Sequence, residues 1–180
     1  MYLLHIDMEK TRVFSSVQVN FQKPICDEIF AWGEHAIPDE ELFIDIDNMH
    51  FGREDEIHVT ILYGLHSESP QQVRELLTRT KPFEIKLGKI GVFTNSDKFD
   101  VVKIDAQGDA LTEINQRIAK HVVFTNKYLL YQPHVTIAYV NKGKGWKHNN
   151  VDVFDGKRVL VDQITFSSRT GQKTYIKLTV

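Results

Sequence analysis

The chain has 180 residues, which at roughly 100 to 200 residues per domain predicts a single domain over residues 1–180. Hydrophobic residues make up 42% of the chain and charged residues 26%, which excludes intrinsic disorder. The formal net charge of -2 excludes a general affinity for duplex DNA. Any nucleic-acid partner must therefore be bound by a local group of residues and not by the overall charge of the protein. Cys26 is the single cysteine and has no intrachain partner for a disulfide, which suits a reducing compartment.

The first half of the chain alternates strand and helix patterns. Residues Val13 to Phe21 alternate apolar and polar positions, the period of a half-buried strand. Pro24 then opens a helix that runs to Ala36, with acidic residues early, where the helix dipole favours them. A strand is predicted over Ile57 to Tyr63 and a helix over Gln71 to Thr80.

The second half predicts more strands than helices. The helix Asp109 to His121 has a clear apolar stripe. The predicted strands are Phe83 to Phe93, Phe99 to Asp105, His134 to Val140, and a closing hairpin of Arg158 to Phe166 with Thr174 to Val180, turning at Thr170 to Gln172. This order of elements indicates an α+β fold with largely antiparallel pairing.

Acidic residues are concentrated between Ile37 and Glu56. Eight carboxylates stand there against one base, Arg53. A charge run of this kind is typical of a solvated face, so we expect a solvated loop or flap.

The N-terminus and the hydropathy pattern bear on location. Residues 1–7 form only a short apolar stretch that His5 interrupts, so no signal peptide is expected. No segment approaches the roughly 18 to 20 consecutive apolar residues that span a bilayer. The sequence therefore predicts a cytoplasmic protein without a membrane partner.

One hexad, His-Val-Thr-Ile-X-Tyr, occurs twice, at His58 to Tyr63 and at His134 to Tyr139. Each copy lies on a predicted strand in its own half of the chain, which indicates two lobes related by pseudo-twofold symmetry. Side chains two residues apart in a strand point to the same face, so each histidine pairs with a threonine while the apolar residues pack behind.

Two facing imidazoles suit phosphodiester chemistry. Histidine titrates near pH 6.5, so one ring can act as a general base and the other as a general acid at neutral pH. The Thr60 and Thr136 hydroxyls can donate hydrogen bonds to phosphate oxygens, and no metal is required. If both rings serve one phosphorus, their nearest nitrogens should lie on the order of 5 to 8 Å apart across a cleft.

The two His-X-Thr motifs, each flanked by hydrophobic residues, resemble those of the 2H phosphoesterases, which include 2'-5' RNA ligase-like proteins and cyclic phosphodiesterases. The resemblance runs from the strand at Val13 to the end of the chain. It implies a bilobal, pseudo-twofold α+β fold with two largely antiparallel sheets flanked by helices around a central cleft. By the same resemblance, the catalytic residues are an acid/base pair and two phosphate-binding hydroxyls, namely His58, His134, Thr60 and Thr136.

The residues that follow the motifs, Leu62 to His66 and Ala138 to Gly143, look most like those of bacteriophage-encoded members. Some phage members, of the anti-CBASS type, degrade the cyclic nucleotides of bacterial immune signalling. The resemblance thus implies a nucleotide or RNA substrate: a 2',3'-cyclic phosphate, a 2'-5' linkage or a cyclic oligonucleotide. A phage enzyme would act in the cytoplasm of a bacterial host.

Three further residues are candidates for substrate binding. Tyr139, like Tyr63, lies five residues after its histidine and so points to the opposite face unless a bulge intervenes; core packing is the favoured interpretation for both tyrosines. Lys142 and Trp146 belong to a loop with three lysines directly after the second motif. That loop is either solvated or a substrate loop whose lysines meet phosphate and whose tryptophan stacks on a base.

The sequence lacks the motifs of several other enzyme classes. The sequence has no zinc-binding spacing, no phosphate-binding P-loop, no dinucleotide fingerprint and no serine nucleophile elbow, so we expect no metal and no cofactor. Two alternatives remain open on the same scaffold: a nucleotide- or RNA-binding module without turnover, and 2'-5' RNA ligation, the same chemistry in reverse.

Overall fold

The computed structural model describes residues 12–46, 50–126 and 130–179. The N-terminal residues for which the sequence predicts no signal peptide lie outside these ranges. The helices are α1 (Ile25–Ala36), α2 (Gln71–Leu77) and α3 (Asp109–His121). The strands are β1 (Ser15–Asn20), β2 (His58–Leu65), β3 (Phe83–Phe93), β4 (Phe99–Gln107), β5 (His134–Asn141), β6 (Arg158–Val161), β7 (Gln163–Ser167) and β8 (Lys173–Lys177).

The eight strands form one sheet in the order β6-β3-β4-β5-β2-β1-β7-β8, and the pairs between neighbours are antiparallel. Each half of this order contains four strands, with β5 innermost in one half and β2 in the other. The expected two sheets are therefore joined at their innermost strands. The joint is narrow, because β2 and β5 are registered at a single residue pair, Val59 with Val135.

The sheet is strongly curled, as the link between β6 and β7 requires. These strands lie six positions apart in the sheet, about 29 Å if it were flat. Only Asp162 separates them along the chain, so their ends lie within about 7 Å of each other. The prediction of one strand over Arg158 to Phe166 is thus wrong, because the chain crosses between the two halves at Asp162. The β7–β8 hairpin is confirmed.

The helices pack on the apolar face of the sheet. Asn115 of α3 donates a hydrogen bond to the carbonyl of Ile61 in β2 at 2.6 Å. In α1, Gly33 lies so close to Ile137 of β5 that an added Cβ would come within 2.8 Å of its Cγ2. The opposite face of the central strands carries polar side chains. In the described chain, none of the helices combines the length and apolarity needed to cross a membrane.

The acidic segment 37–56 carries exposed carboxylates, as expected of a solvated loop or flap, but its described residues are also bound to the sheet. Beyond the joint with β2, the outer half of β5 pairs with this segment. Phe43 N–H donates to the Tyr139 carbonyl at 2.9 Å, and Tyr139 N–H donates to the Gly52 carbonyl at 2.8 Å. Arg53 links the segment to α1, since its guanidinium donates to the carbonyls of Gly33 and Ile37. These backbone hydrogen bonds hold the segment to the sheet, and the charge pattern gave no indication of them.

Candidate active site

The joint between the two half-sheets sets the geometry of the two motifs. Val59 and Val135 are paired and fully buried, so the residues on either side of each point to the opposite face. Antiparallel register then places each histidine opposite the threonine of the other motif, with the two histidines on the diagonal. The structure brings together the four side chains that the sequence singles out, all partly exposed on one face: His58, Thr60, His134 and Thr136.

Both imidazoles are held in the same way. Nδ1 of His58 lies 2.6 Å from the carbonyl oxygen of Glu56, and Nδ1 of His134 lies 2.7 Å from that of Gln132. Because a carbonyl oxygen only accepts, Nδ1 carries the hydrogen in each ring. In the neutral ring Nε2 is then left with its lone pair, the form that a general base needs.

A bulge in each motif turns the tyrosines to the same face as the histidines. The registers shift between Val17 and Gln18 opposite β2, and between Val102 and Lys103 opposite β5. Two successive residues in each motif are consequently buried, and the tyrosine that follows is half-exposed. Core packing is therefore the wrong interpretation for Tyr63 and Tyr139.

The two tyrosines then meet different neighbours. Tyr63 is 38% exposed, and its ring packs edge-on to Phe14 at 6.1 Å between centroids. The Tyr139 ring packs edge-on to Phe51 at 5.1 Å and to Phe99 at 5.4 Å. Tyr139 therefore contacts the acidic segment through Phe51 and β4 through Phe99.

His134 lies between an aromatic ring and an ion pair whose lysine is buried and whose aspartate is exposed. Its ring packs edge-on to Phe93 at 4.9 Å, and the Lys103 ammonium stands 4.8 Å from the centre of the same phenyl ring. Lys103 also forms an ion pair with Asp105, and these two residues face Thr136 and His134 across β4 and β5. Burial lowers the pKa of His134; the positive charges of Lys103 and His58 lower it further, against the hydrogen bond to Gln132 and the charge of Asp105.

His58 has a different environment, built from amides and a carboxylate. Asn20 lies opposite His58 across β1 and β2, and Gln18 lies opposite Thr60. Both amides donate to the carboxylate of Glu56, which also accepts a hydrogen bond from Lys173 at 2.6 Å. Burial alone raises the pKa of Glu56, but the hydrogen bond and charge of Lys173, with smaller contributions from His58 and Asn20, bring it below its ordinary value.

The lysine loop is held away from the histidines. Lys142 follows the last residue of β5, eight positions and about 26 Å of strand from His134. Its ammonium group contacts the buried Asp100 at 3.2 Å and the Thr94 carbonyl at 2.7 Å. Trp146 is 65% exposed in a short 3-10 turn that follows. The structure brings neither residue together with the two motifs.

Sequence reasoning missed Lys103 and Glu56. Lys103 interrupts a run of apolar residues in a strand that the sequence predicts, and a lysine at such a position requires a partner or a function. The position of this lysine in an apolar strand could therefore have identified it as a candidate site residue. The role of Glu56 was hidden in the acidic run, because only the fold shows which of its carboxylates adjoins a histidine.

Metal-binding residues are not gathered at this site. No group of three or more histidine, cysteine, aspartate or glutamate side chains in the described ranges is arranged to hold an ion. Polar groups that could contact a phosphate include the two imidazoles, the two hydroxyls and Lys103.

A curled antiparallel sheet with two equivalent His-X-Thr strands at its centre is the 2H phosphoesterase fold. The family model of the 2'-5' RNA ligase superfamily matches residues 49–173, which is 125 of 180 residues and includes both motifs. The chain belongs to that superfamily. A search of curated protein sequences finds no match.

Solved structures share the fold at low identity. The protein TT0787 of Thermus thermophilus superposes with a TM-score of 0.62 at 14% identity, covering 92% of this chain and 95% of that one. A structure described as a phosphoesterase gives a TM-score of 0.59 at 17% identity, with the same coverage of both chains. Escherichia coli LigT complexed with 3'-AMP gives 0.58 at 16% identity, covering 92% and 94%.

Proposed function

We propose that this protein is a metal-independent phosphodiesterase that cleaves 2',3'-cyclic phosphates, 2'-5' linkages or cyclic oligonucleotides. The observation that carries the proposal is the diagonal pair of imidazoles, each with Nδ1 bound to a backbone carbonyl and Nε2 left for proton transfer. Membership of a superfamily named for 2'-5' RNA ligases supports an enzyme of phosphodiester chemistry. LigT, which shares the fold, has been crystallised with 3'-AMP, NADP+ and ATP, which supports a nucleotide substrate.

His134 is the general base in this proposal. Burial and the charge of Lys103 lower its pKa, so the ring is neutral at pH 7 and accepts a proton at Nε2. It takes that proton from water or a ribose hydroxyl as the oxygen bonds to phosphorus. The bond to the leaving ribose oxygen breaks, and His58 in its protonated form donates a proton to that oxygen. The two rings finish with exchanged protonation states, so one proton must be returned between turnovers.

The phosphate is held by donors on both strands. The hydroxyls of Thr60 and Thr136 lie beside the two imidazoles and donate to the nonbridging oxygens. Lys103 faces Thr136 across the sheet and supplies an ammonium group, in a position only 9% exposed at the side chain, where its charge is poorly screened. Together they stabilise the charge that develops in the transition state.

The superfamily's description favours 2'-5' RNA ligation as a second candidate. Ligation uses the same two proton transfers in reverse, with a ribose hydroxyl attacking a cyclic phosphate. The direction depends on the concentration of RNA ends, and the same residues serve both reactions.

If the substrate is a cyclic oligonucleotide, the proposed activity would degrade bacterial immune signals. Its support is the resemblance of the residues after each motif to bacteriophage-encoded members, and such an enzyme would act in the bacterial cytoplasm. Cyclic dinucleotides therefore belong among the substrates to be tested.

The proposal is tested by incubating the purified protein with 2',3'-cyclic nucleotides, 2'-5' dinucleotides and cyclic dinucleotides, and identifying products by mass spectrometry. We expect turnover of at least one class, lost in the His58→Ala/His134→Ala double variant. His66→Ala is the matched control, since His66 binds the Thr125 hydroxyl at 2.8 Å and is exposed outside the two motifs. Nucleotide binding without any product would instead identify a binding module.

A further inference from the structure

A cavity of about 640 Å³ lies over β3 and β4, one strand away from the second motif, which is on β5. Its walls include Lys103, Asp105 and Gln107, which project from β4 toward the same face as the histidines. We propose that this cavity binds the nucleoside on the His134 side of the scissile phosphate, so that the preferred substrate carries nucleosides on both sides of that phosphate. The inference rests on the proposed function for the position of the phosphate.

The register of the sheet connects the cavity to the candidate catalytic residues. Asp105 is paired with His134 and Lys103 with Thr136, so the cavity begins one strand away from both motif residues. Neighbouring strands are about 4.8 Å apart, which puts the far side of the cavity, over β3, about 10 Å from the histidine strand. A nucleoside attached to a phosphate above β2 and β5 reaches that distance when it lies across β4.

Two glycines of β3 keep the floor of the cavity open. A Cβ added to Gly91 would come within 3.0 Å of the Lys103 ammonium nitrogen, and one added to Gly88 within 3.1 Å of the Asp105 Cβ. Any side chain at either position would fill the cavity or displace the Lys103–Asp105 pair. Because both residues are glycines, space remains directly beside the groups that face His134 and Thr136.

The lining chemistry fits a nucleobase and ribose. The cavity volume falls within the roughly 300 to 1,000 Å³ of small-molecule sites. Gln107 and Asn149 bring amides to its rim, and an amide presents both a donor and an acceptor, as base edges require. The Asp105 carboxylate can accept from a ribose hydroxyl, while the charge of Lys103 stays near the phosphate.

The first experiment measures binding, which does not depend on turnover. In the His58→Ala/His134→Ala double variant, we expect a 2'-5'-linked adenosine dinucleotide to bind about tenfold more tightly than adenosine 2',3'-cyclic phosphate, the worth of one to two added hydrogen bonds. Adding Gln107→Trp, which fills the rim, should reduce that ratio to near one. Gln172→Trp, in the exposed β7–β8 turn, is the control and should leave the ratio unchanged.

A second variant, in which a lining side chain is shortened, tests the subsite even if the Gln107→Trp variant does not fold. Asn149 is exposed in a loop, and Asn149→Ala should lower the binding ratio severalfold while the melting temperature stays that of the parent. Equal affinities in the parent, or a ratio that neither variant changes, would overturn the subsite.

The second experiment separates this proposal from the proposed function. In the active protein, Gln107→Trp should lower the ratio of kcat/KM for the dinucleotide to that for the cyclic mononucleotide by about tenfold. If the ratio of affinities behaves as expected but the wild-type protein turns over neither substrate, the subsite stands and the phosphodiesterase proposal fails. If turnover occurs and Gln107→Trp lowers both rates equally, the phosphodiesterase stands and the subsite fails.

Discussion

Val59 and Val135 are paired across β2 and β5, are fully buried, and form the one registered pair between these strands in the described chain. Each valine directly follows the histidine of its motif. Their pairing therefore fixes the diagonal placement of the two imidazoles. The pseudo-twofold relation between the motifs passes through this pair, and each half of the sheet contributes one imidazole to the same face.

The first prediction concerns the two histidines. Because a positioned proton-transfer group is worth about 100-fold or more, His58→Ala and His134→Ala should each lower kcat/KM by at least that factor. The double variant should lose less than the product of the two, since the remaining ring cannot complete the transfer alone. Steady-state kinetics on the substrate identified by product analysis measures all three. Near wild-type turnover in either single variant would remove that histidine from the mechanism.

Much of the fold could be predicted because its signals are local. The helix Asp109–His121 and the strand Phe83–Phe93 have the bounds that the sequence predicts, since periodicity and turn residues mark both ends. The crossing at Asp162 could not be predicted, because an apolar run carries no mark of which strand each part will pair with. The pairing of segment 37–56 with β5 likewise depends on where β2 diverges from β5.

In the candidate site, too, some features could be predicted from the sequence and others depend on tertiary structure. The repeated hexad places His58 and His134 on equivalent strands, and that repeat is visible in the sequence alone. The bulges are tertiary features, so the orientation of Tyr63 and Tyr139 does not follow from an alternating pattern. Lys103 could be noticed, but that it faces Thr136 depends on the register of β4 with β5.

The second prediction is a pH shift set by Lys103. The charge of Lys103 lowers the pKa of His134, so Lys103→Met, which removes the charge but keeps a long unbranched side chain, should raise that pKa. A general base must be unprotonated, so the acidic limb of the kcat/KM profile should move to higher pH. Asp105 acts in the opposite direction, and Asp105→Asn should move the limb to lower pH. Limbs that move together, or that stay in place, would contradict His134 as the base.

The third prediction concerns metals. The proposed mechanism uses two imidazoles, two hydroxyls and one ammonium group, none of which needs an ion. Turnover should therefore survive prolonged treatment with EDTA and dialysis, measured on the same substrate panel. Loss of activity that a divalent ion restores would replace the acid/base mechanism with a metal-assisted one. A parallel assay with added Mg²⁺ controls for ions that merely screen the substrate's charge.

The last prediction tests whether the acidic segment is part of the folded structure. The side chain of Arg53 is only 14% exposed; its guanidinium donates to the carbonyl of Gly33 and, at 2.9 Å, to that of Ile37. Hydrogen bonds from a charged group contribute about 1.5 to 3 kcal/mol, so Arg53→Met should lower the free energy of unfolding by about that amount in urea titrations. Arg53→Lys should recover only part of the loss, because a lysine lacks the planar fork that reaches both carbonyls.

Arg158→Met is the matched control for this loss. Arg158 forms an exposed ion pair with Glu84, at 66% and 53% side-chain exposure, and such pairs contribute about 0 to 1 kcal/mol. If Arg53→Met destabilises the protein no more than Arg158→Met does, segment 37–56 is not held by the contacts of Arg53 with α1. A clear difference, together with a raised KM in Arg53→Met, would show that the segment keeps Tyr139 and its aromatic neighbours in place beside the site.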